Sequence, residues 1–83
     1  MQLLPKKRRI PVPAGWMSDV MSIIQSLNRF EFTNRDIYAF EWFFKRLYPK
    51  NRNIKDKIRQ QLQYLAKAGL LEHLGAGRWQ RLV

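Results

Sequence analysis

From Lys50 to Gln63 the chain reads KNRNIKDKIRQQLQ, a run of amides and cations broken only by evenly spaced aliphatic residues and one acid, Asp56. Those residue types have a specific chemistry. The amides of Asn51, Asn53, Gln60 and Gln63 can each make paired hydrogen bonds to adenine at N6 and N7, and the guanidinium groups of Arg52 and Arg59 can do the same to guanine at O6 and N7. Lys55 can also reach base edges in the major groove, and Lys50 is suited to phosphate oxygens. Asp56 would repel phosphate. Three roles fit it: accepting a hydrogen bond from a cytosine amine, bracing an arginine, or stabilising the start of a helix. Lys57 and Gln61 share a side with Tyr64, where phosphate contact and plain solvent exposure fit equally.

An element must hold these side chains in one direction. Ile54, Ile58, Leu62 and Leu65 recur at close to four-residue spacing, which predicts a helix with one apolar face. Asn51 or Asn53 would cap its start, Lys67 sits near its negative end, and Gly69 supplies the left-handed residue that ends it. Leu70 to Leu74 then read as a strand, Gly75-Ala76-Gly77 as a tight connection and Arg78 to Leu82 as the return strand. Arg78 and Arg81 fall on that wing, near where it would meet DNA phosphates, though either could be a solvated surface charge. Trp79 alternates between polar neighbours, so it should face the core. A helix followed by such a hairpin is the reading end of a winged helix-turn-helix.

The preceding sequence supplies the rest of that fold. Ser18 is a plausible N-cap with Asp19 in the first turn, followed by Val20, Ile23, Ile24 and Leu27 at amphipathic helical spacing. Asn28 and Arg29 close that helix, and Phe30-Glu31-Phe32 alternates as a short strand. Thr33 with Asp36 three residues on resembles a capping box and opens a second helix. Ile37, Phe40, Phe44 and Leu47 form its apolar face, and Tyr48-Pro49 stops it. Tyr38 and Trp42 lie off that face and are expected to pack against the first helix or the hairpin, and Trp42 with Trp16 could form an apolar wall. Pro49 to Arg52 is short enough to be the turn between the last two helices. Lys45, Arg46 and Lys50, around the end of the second helix, are further phosphate candidates. The expected fold class is mainly α with a small antiparallel hairpin: three helices and a β-wing.

Composition limits the function. Eighty-three residues make one small domain, and sixteen Lys and Arg against six Asp and Glu give a formal charge of +10. That balance favours polyanionic partners, nucleic acid or an anionic membrane surface, with duplex DNA preferred beside such a helix. There is no cysteine and one histidine, His73, so neither a disulfide framework nor a metal site is expected and no cofactor is implied. No nucleophile–base pairing is apparent, and an enzyme is not expected. No apolar run could span a membrane, and the start of the chain lacks the apolar stretch of a secretory signal; a cytoplasmic, DNA-associated bacterial protein is the simplest reading. Residues 1–15, with Pro5, Pro11, Pro13 and the block Lys6-Lys7-Arg8-Arg9, read as a basic arm or linker ahead of a domain at 16–83. Such an arm could follow phosphates or a minor groove, or simply link domains.

The run FEFTNRDIYAFEWFFKRLYPKNRNIKDKIRQQLQYLAKAGLLEHLGAGRWQRL resembles the C-terminal winged-helix domain of the Dam-replacing, DpnI-type restriction endonucleases, over roughly Trp16 to Leu82. The most specific part is YPKNRNIKDKIRQQLQYLAKAGLLEHLGAGRW, where Asn51, Asn53, Ile54, Lys57 to Leu62 and Gly69 fall in the family's pattern. The resemblance implies binding to duplex DNA carrying N6-methyladenine in the sequence GATC, beside a separate nuclease domain. The six acids cannot assemble that nuclease's metal-binding carboxylates, so the resemblance implies a monomeric reader without the nuclease, fused to or partnered with a nuclease or methyltransferase. Two alternatives use the same fold: a transcription regulator reading an unmodified site, which in a dimeric form would carry a dimerising helix not evident here, and a protein-interaction winged helix, whose third helix should carry few cations.

Overall fold

Helix α4 (Ile54–Lys67) is the element on which the others converge. In this computed structural model, which describes residues 15–83, the order is α1 (Trp16–Ser26), β1 (Glu31–Thr33), α2 (Asn34–Tyr38), α3 (Glu41–Leu47), α4, β2 (Leu71–Gly75) and β3 (Arg78–Arg81). The arm expected at residues 1–15 lies, apart from Gly15, outside the described residues. The molecule is a winged helix-turn-helix: α2, α3 and α4 form the helix-turn-helix, and the strands form a three-stranded antiparallel sheet in the order β1-β3-β2.

The apolar face of α4 packs against α1, α2, α3 and β2. Ile58, Leu62 and Leu65 are fully buried and Ile54 nearly so, as their spacing predicts. They meet Val20 and Ile24 of α1, Ile37 of α2 and Phe44 of α3 in one cluster. Each such side chain contributes roughly 1.5–3 kcal/mol by leaving water, which matters in so small a core. The end of α4 is a Schellman motif. The Gly69 N–H donates to the Ala66 carbonyl and the Leu70 N–H to the Leu65 carbonyl, each at 3.0 Å, while Gly69 takes φ +85°.

Two boundaries differ from the sequence expectation. Ser18 does not cap α1. The helix starts earlier, at Trp16, where Gly15 at φ +61° makes the entry and its carbonyl accepts from the Asp19 N–H at 3.0 Å. The single helix expected from Thr33 to Leu47 is two helices. Five aromatics between Tyr38 and Phe44, all modest helix formers, crowd that stretch. Phe40 leaves helical geometry at ψ 17°, its N–H closing a tight turn onto the Ile37 carbonyl at 2.9 Å. Beyond the break Trp42 points outward, 58% exposed and beside Phe40 and Phe43, rather than packing on α1 or the hairpin; Leu47 is also exposed. The start of α4 falls within the expectation, with Asn53 in the N-cap position and the helix beginning at Ile54.

The capping box at Thr33 forms. The Thr33 hydroxyl accepts from the Asp36 N–H at 3.3 Å, and the Asp36 carboxylate accepts from the Thr33 N–H at 2.8 Å. That second bond, reinforced by Arg29 at 3.1 Å, holds the Asp36 carboxyl below its ordinary range. The start of α2 is also tied to the wing. Trp79 is 2% exposed, and its indole N–H donates to Asn34 Oδ1 at 2.7 Å while the Asn34 N–H donates to the Gly77 carbonyl at 2.9 Å. Ala76 and Gly77 take φ +50° and +73°, the pair of left-handed residues that a two-residue type I′ hairpin turn requires. β2 ends one residue later than expected, at Gly75, with an irregularity in register between His73 and Gly75.

The turn into α4 is anchored from the other side. Trp16 stacks on Tyr48 at 4.3 Å and on Phe44 at 5.1 Å, so the Trp16–Trp42 wall does not form. The Tyr48 hydroxyl donates to the Asp19 carboxylate at 2.5 Å, joining the start of α1 to the end of α3. That bond raises the Tyr48 phenol from 10.0 to about 12, because a phenolate would face the carboxylate. A raised folded value means stability fully present below pH 10 and lost as pH climbs through about 12. Urea denaturation from pH 9 upward should therefore show an alkaline loss of stability that Tyr48→Phe lacks. Parallel curves for the two proteins would show that the hydrogen bond does not form in solution.

Candidate nucleic-acid interface

With one side of α4 consumed by the core, the other side is fixed in direction. Lys55, Asp56, Arg59, Gln60, Gln63 and Lys67 are all exposed along it. The turn before the helix presents Lys50, Arg52 and Asn53 to solvent, with Asn51 half-buried. Asn51, Asn53, Asp56, Lys57 and Gln60 line an open hollow of about 310 Å³ at the start of the helix. A second hollow of about 530 Å³, lined by Trp16, Tyr48, Pro49, Lys50 and Asn51, shares Asn51 with it. Nine of the ten residues expected to meet DNA thus sit on one helix and its approach turn. Arg78 is separate, on β3.

The side chains are unequally available. Asn51 Oδ1 accepts from the Asn53 N–H at 2.9 Å, closing the turn, so one lone pair of that amide is committed. Asn53 occupies the N-cap position without using its side chain as a cap. The Lys55 ammonium lies 5.6 Å from the Tyr38 ring centroid, a cation–π contact that holds its stem toward α2. Arg59 Nη2 donates to Asp56 Oδ1 at 2.9 Å. Arg78 pairs with Glu31 of the adjacent strand at 3.5 Å, which partly neutralises a cation assigned to phosphate. Arg81 rests 5.8 Å from the Phe30 ring centroid and donates to the Val83 carbonyl at 3.2 Å, while Lys45 and Arg46 point to solvent on α3.

Gln61 is the clear departure. It is 4% exposed, on the buried side of α4 rather than beside solvent. The signal was present in the spacing. Gln61 stands seven residues after Ile54, three after Ile58 and four before Leu65, which places it on the apolar stripe. Its amide makes no side-chain hydrogen bond among the described residues. His73, the lone histidine, is exposed on β2 and stacks over Trp79 at 4.3 Å. Among the described residues no cluster of three or more His, Cys, Asp or Glu could hold a metal ion, and no helix is long and apolar enough to cross a membrane.

A buried amide without a partner costs more than an apolar group of the same shape. Gln61→Leu should therefore keep or raise stability in urea denaturation and leave DNA affinity unchanged. Gln61→Glu should lower stability by about 1–3 kcal/mol by burying an acceptor-only group. A loss of DNA affinity in a fully folded Gln61→Leu protein would show that this amide turns outward on binding.

The geometry is that of a helix-turn-helix with its third helix bare on one side, and comparison with known families agrees. Residues 13–81 match the family model described as the Dam-replacing HTH domain. That span takes in every described helix and strand. The chain belongs to the Dam-replacing HTH domain family and is a DNA-binding winged helix-turn-helix.

Proposed function

We propose that this domain reads N6-methyladenine in duplex GATC, placing the outward side of α4 in the major groove as a non-catalytic, monomeric reader that serves a nuclease or methyltransferase partner. The observation that carries the DNA-reading part is the composition of that side: Asp56, Arg59, Gln60 and Gln63 are all exposed, and among the described residues the three amides Asn53, Gln60 and Gln63 are spent on no other hydrogen bond. The methylation part rests on the likeness to the Dam-replacing, DpnI-type enzymes and on compatible chemistry. In doubly methylated GATC the two methylamines lie on adjacent base pairs and opposite strands, within reach of one helix. Methylation leaves adenine N7 as an acceptor, while the remaining N6 proton stays paired to thymine, so an amide of Asn53, Gln60 or Gln63 can still donate to N7 beside the methyl group. Arg59 or Arg52 would take the flanking guanine. Lys50 and the exposed cations of α3 would meet phosphates, giving the register without the sequence.

Burying a methyl group contributes roughly 0.8 kcal/mol, so two of them favour the doubly methylated site by about tenfold before any gain from shape. Titrating unmethylated, hemimethylated and doubly methylated GATC duplexes at one near-physiological salt concentration should give affinities in that ascending order. Arg59→Ala should lower affinity by roughly 1–3 kcal/mol and relax selection at the guanine. Equal affinity for all three duplexes would remove the methylation reading while leaving the DNA-binding domain in place.

A further inference from the structure

Two aspartates occupy the same helical position and behave differently. Asp36 and Asp56 are each the third residue of their helix, where a carboxylate can reach back to the N-cap N–H. Asp36 does so, closing the box with Thr33 at 2.8 Å. Asp56 does not. The N–H it would accept, that of Asn53, is already taken by Asn51 Oδ1 at 2.9 Å, and the Asp56 carboxylate turns along the helix to Arg59 Nη2 at 2.9 Å. Asp56 is also the only acid on α4, on the side that carries Lys55, Arg59 and Lys67. A carboxylate there opposes phosphate, and capping does not account for it.

We propose that Asp56 is a positioning residue for Arg59: it fixes the guanidinium ahead of DNA contact and selects against DNA that offers only phosphates. This inference rests on the reading of α4 as the base-contacting helix. An arginine side chain is long, with many rotamers to be ordered before both donors of its planar fork can meet guanine O6 and N7 together. One bond from Nη2 to Asp56 uses one of that nitrogen's two protons and holds the plane, while its other proton and a neighbouring guanidinium N–H can still form the fork. Asp56 and Arg59 are 68% and 52% exposed, so the pair does little for folding. Its effect falls on the choice of DNA. On a correct site the ordered fork meets guanine with less entropy to lose. On an incorrect site the carboxylate faces phosphate without compensation, so discrimination rises while non-specific affinity falls.

The test has a part without DNA and a part with it. In the free protein, nitrogen-detected NMR of arginine side chains should show restricted motion of the Arg59 guanidinium. Asp56→Asn should release it to the mobility of exposed Arg52, and Asp56→Glu should restore part of the restriction. An Arg59 as mobile as Arg52 in the wild-type protein would overturn the proposal whatever DNA the domain binds. The second part compares a GATC duplex with one whose outer G·C pairs are replaced by A·T, in a double-mutant cycle with Arg59→Ala. Asp56→Asn should lower the affinity ratio of the two duplexes about two- to fivefold, the range of an exposed ion pair, and tighten binding to the substituted duplex. In the Arg59→Ala background it should leave the ratio unchanged. A fall in the ratio in both backgrounds would make Asp56 a direct reader of cytosine and overturn the positioning role, as would no fall in either. No preference of the wild-type protein for the G·C pairs, with Arg59 still restricted, would instead fault the placement of α4.

Discussion

Burial of one side of α4 is the constraint on which the rest of the molecule depends. Ile54, Ile58, Leu62 and Leu65 are held from four directions by α1, α2, α3 and β2, so the helix can neither roll nor slide without exposing several of them. A helix fixed in rotation has its opposite side fixed as well. Asp56, Arg59, Gln60 and Gln63 point outward because the aliphatic residues between them point in. In an 83-residue domain this is an economical way to hold a recognition surface: a few buried side chains both stabilise the chain and aim the polar ones. The Trp16–Tyr48–Asp19 contacts at the turn and the Trp79–Asn34 bond at the wing fix the ends of the same arrangement.

How much of this was legible in the sequence depends on the range of the interaction. The outline of α4, its Gly69 end, the Thr33–Asp36 box and the inward face of Trp79 follow from spacing of a few residues and were readable. The break at Phe40 was not. The apolar positions 37, 40, 44 and 47 have helical spacing, and nothing in that pattern registers the crowding of five aromatics or the outward turn of Trp42. The start of α4 was legible only as two options, because Asn51 and Asn53 are both good capping residues; Asn53 takes the N-cap position, and the bond from its N–H to Asn51 Oδ1 assigns Asn51 to the turn. Gln61 was misplaced for a different reason. Its residue type suggested solvent, its position in the helical repeat indicated the core, and position was the better guide.

The site was legible as a set of residues and not as a set of relationships. The sequence places Asn51 to Gln63 together because they are consecutive, and the helix then separates them into those facing the core and those facing out. It does not reveal that Asn51 is partly spent on the turn, that Lys55 lies over Tyr38, or that Arg78 is paired with Glu31 across two strands. Each of these depends on a partner whose rotamer or strand register is set by the folded chain. The pairings matter for electrostatics as well. Of the six acids, Glu31, Asp36 and Asp56 are each matched to an arginine, so the excess positive charge is carried mainly by lysines and by the unmatched arginines.

The same geometry limits how a methyl group could be recognised. A methyl gains free energy by meeting carbon, and the outward side of α4 offers the methylene stems of Arg59, Gln60 and Gln63 and, one turn beyond Gln60, the partly exposed ring of Tyr64. No exposed aliphatic or aromatic residue lies between Ile54 and Gln63 on that side. A further apolar surface is the hollow of Trp16, Tyr48 and Pro49, which meets the polar hollow at Asn51. Stems of this kind give the modest term expected of two half-covered methyl groups. A preference well above tenfold would therefore have to come from fit. The amides and the Arg59 fork would have to be placed so that an unmethylated adenine leaves a gap that neither the side chains nor water fills well. Rigidity then matters more than apolar area, because a mobile side chain would close the gap. The selectivity available to this helix depends on how firmly its polar side chains are held, and thus on the buried stripe that holds the helix itself.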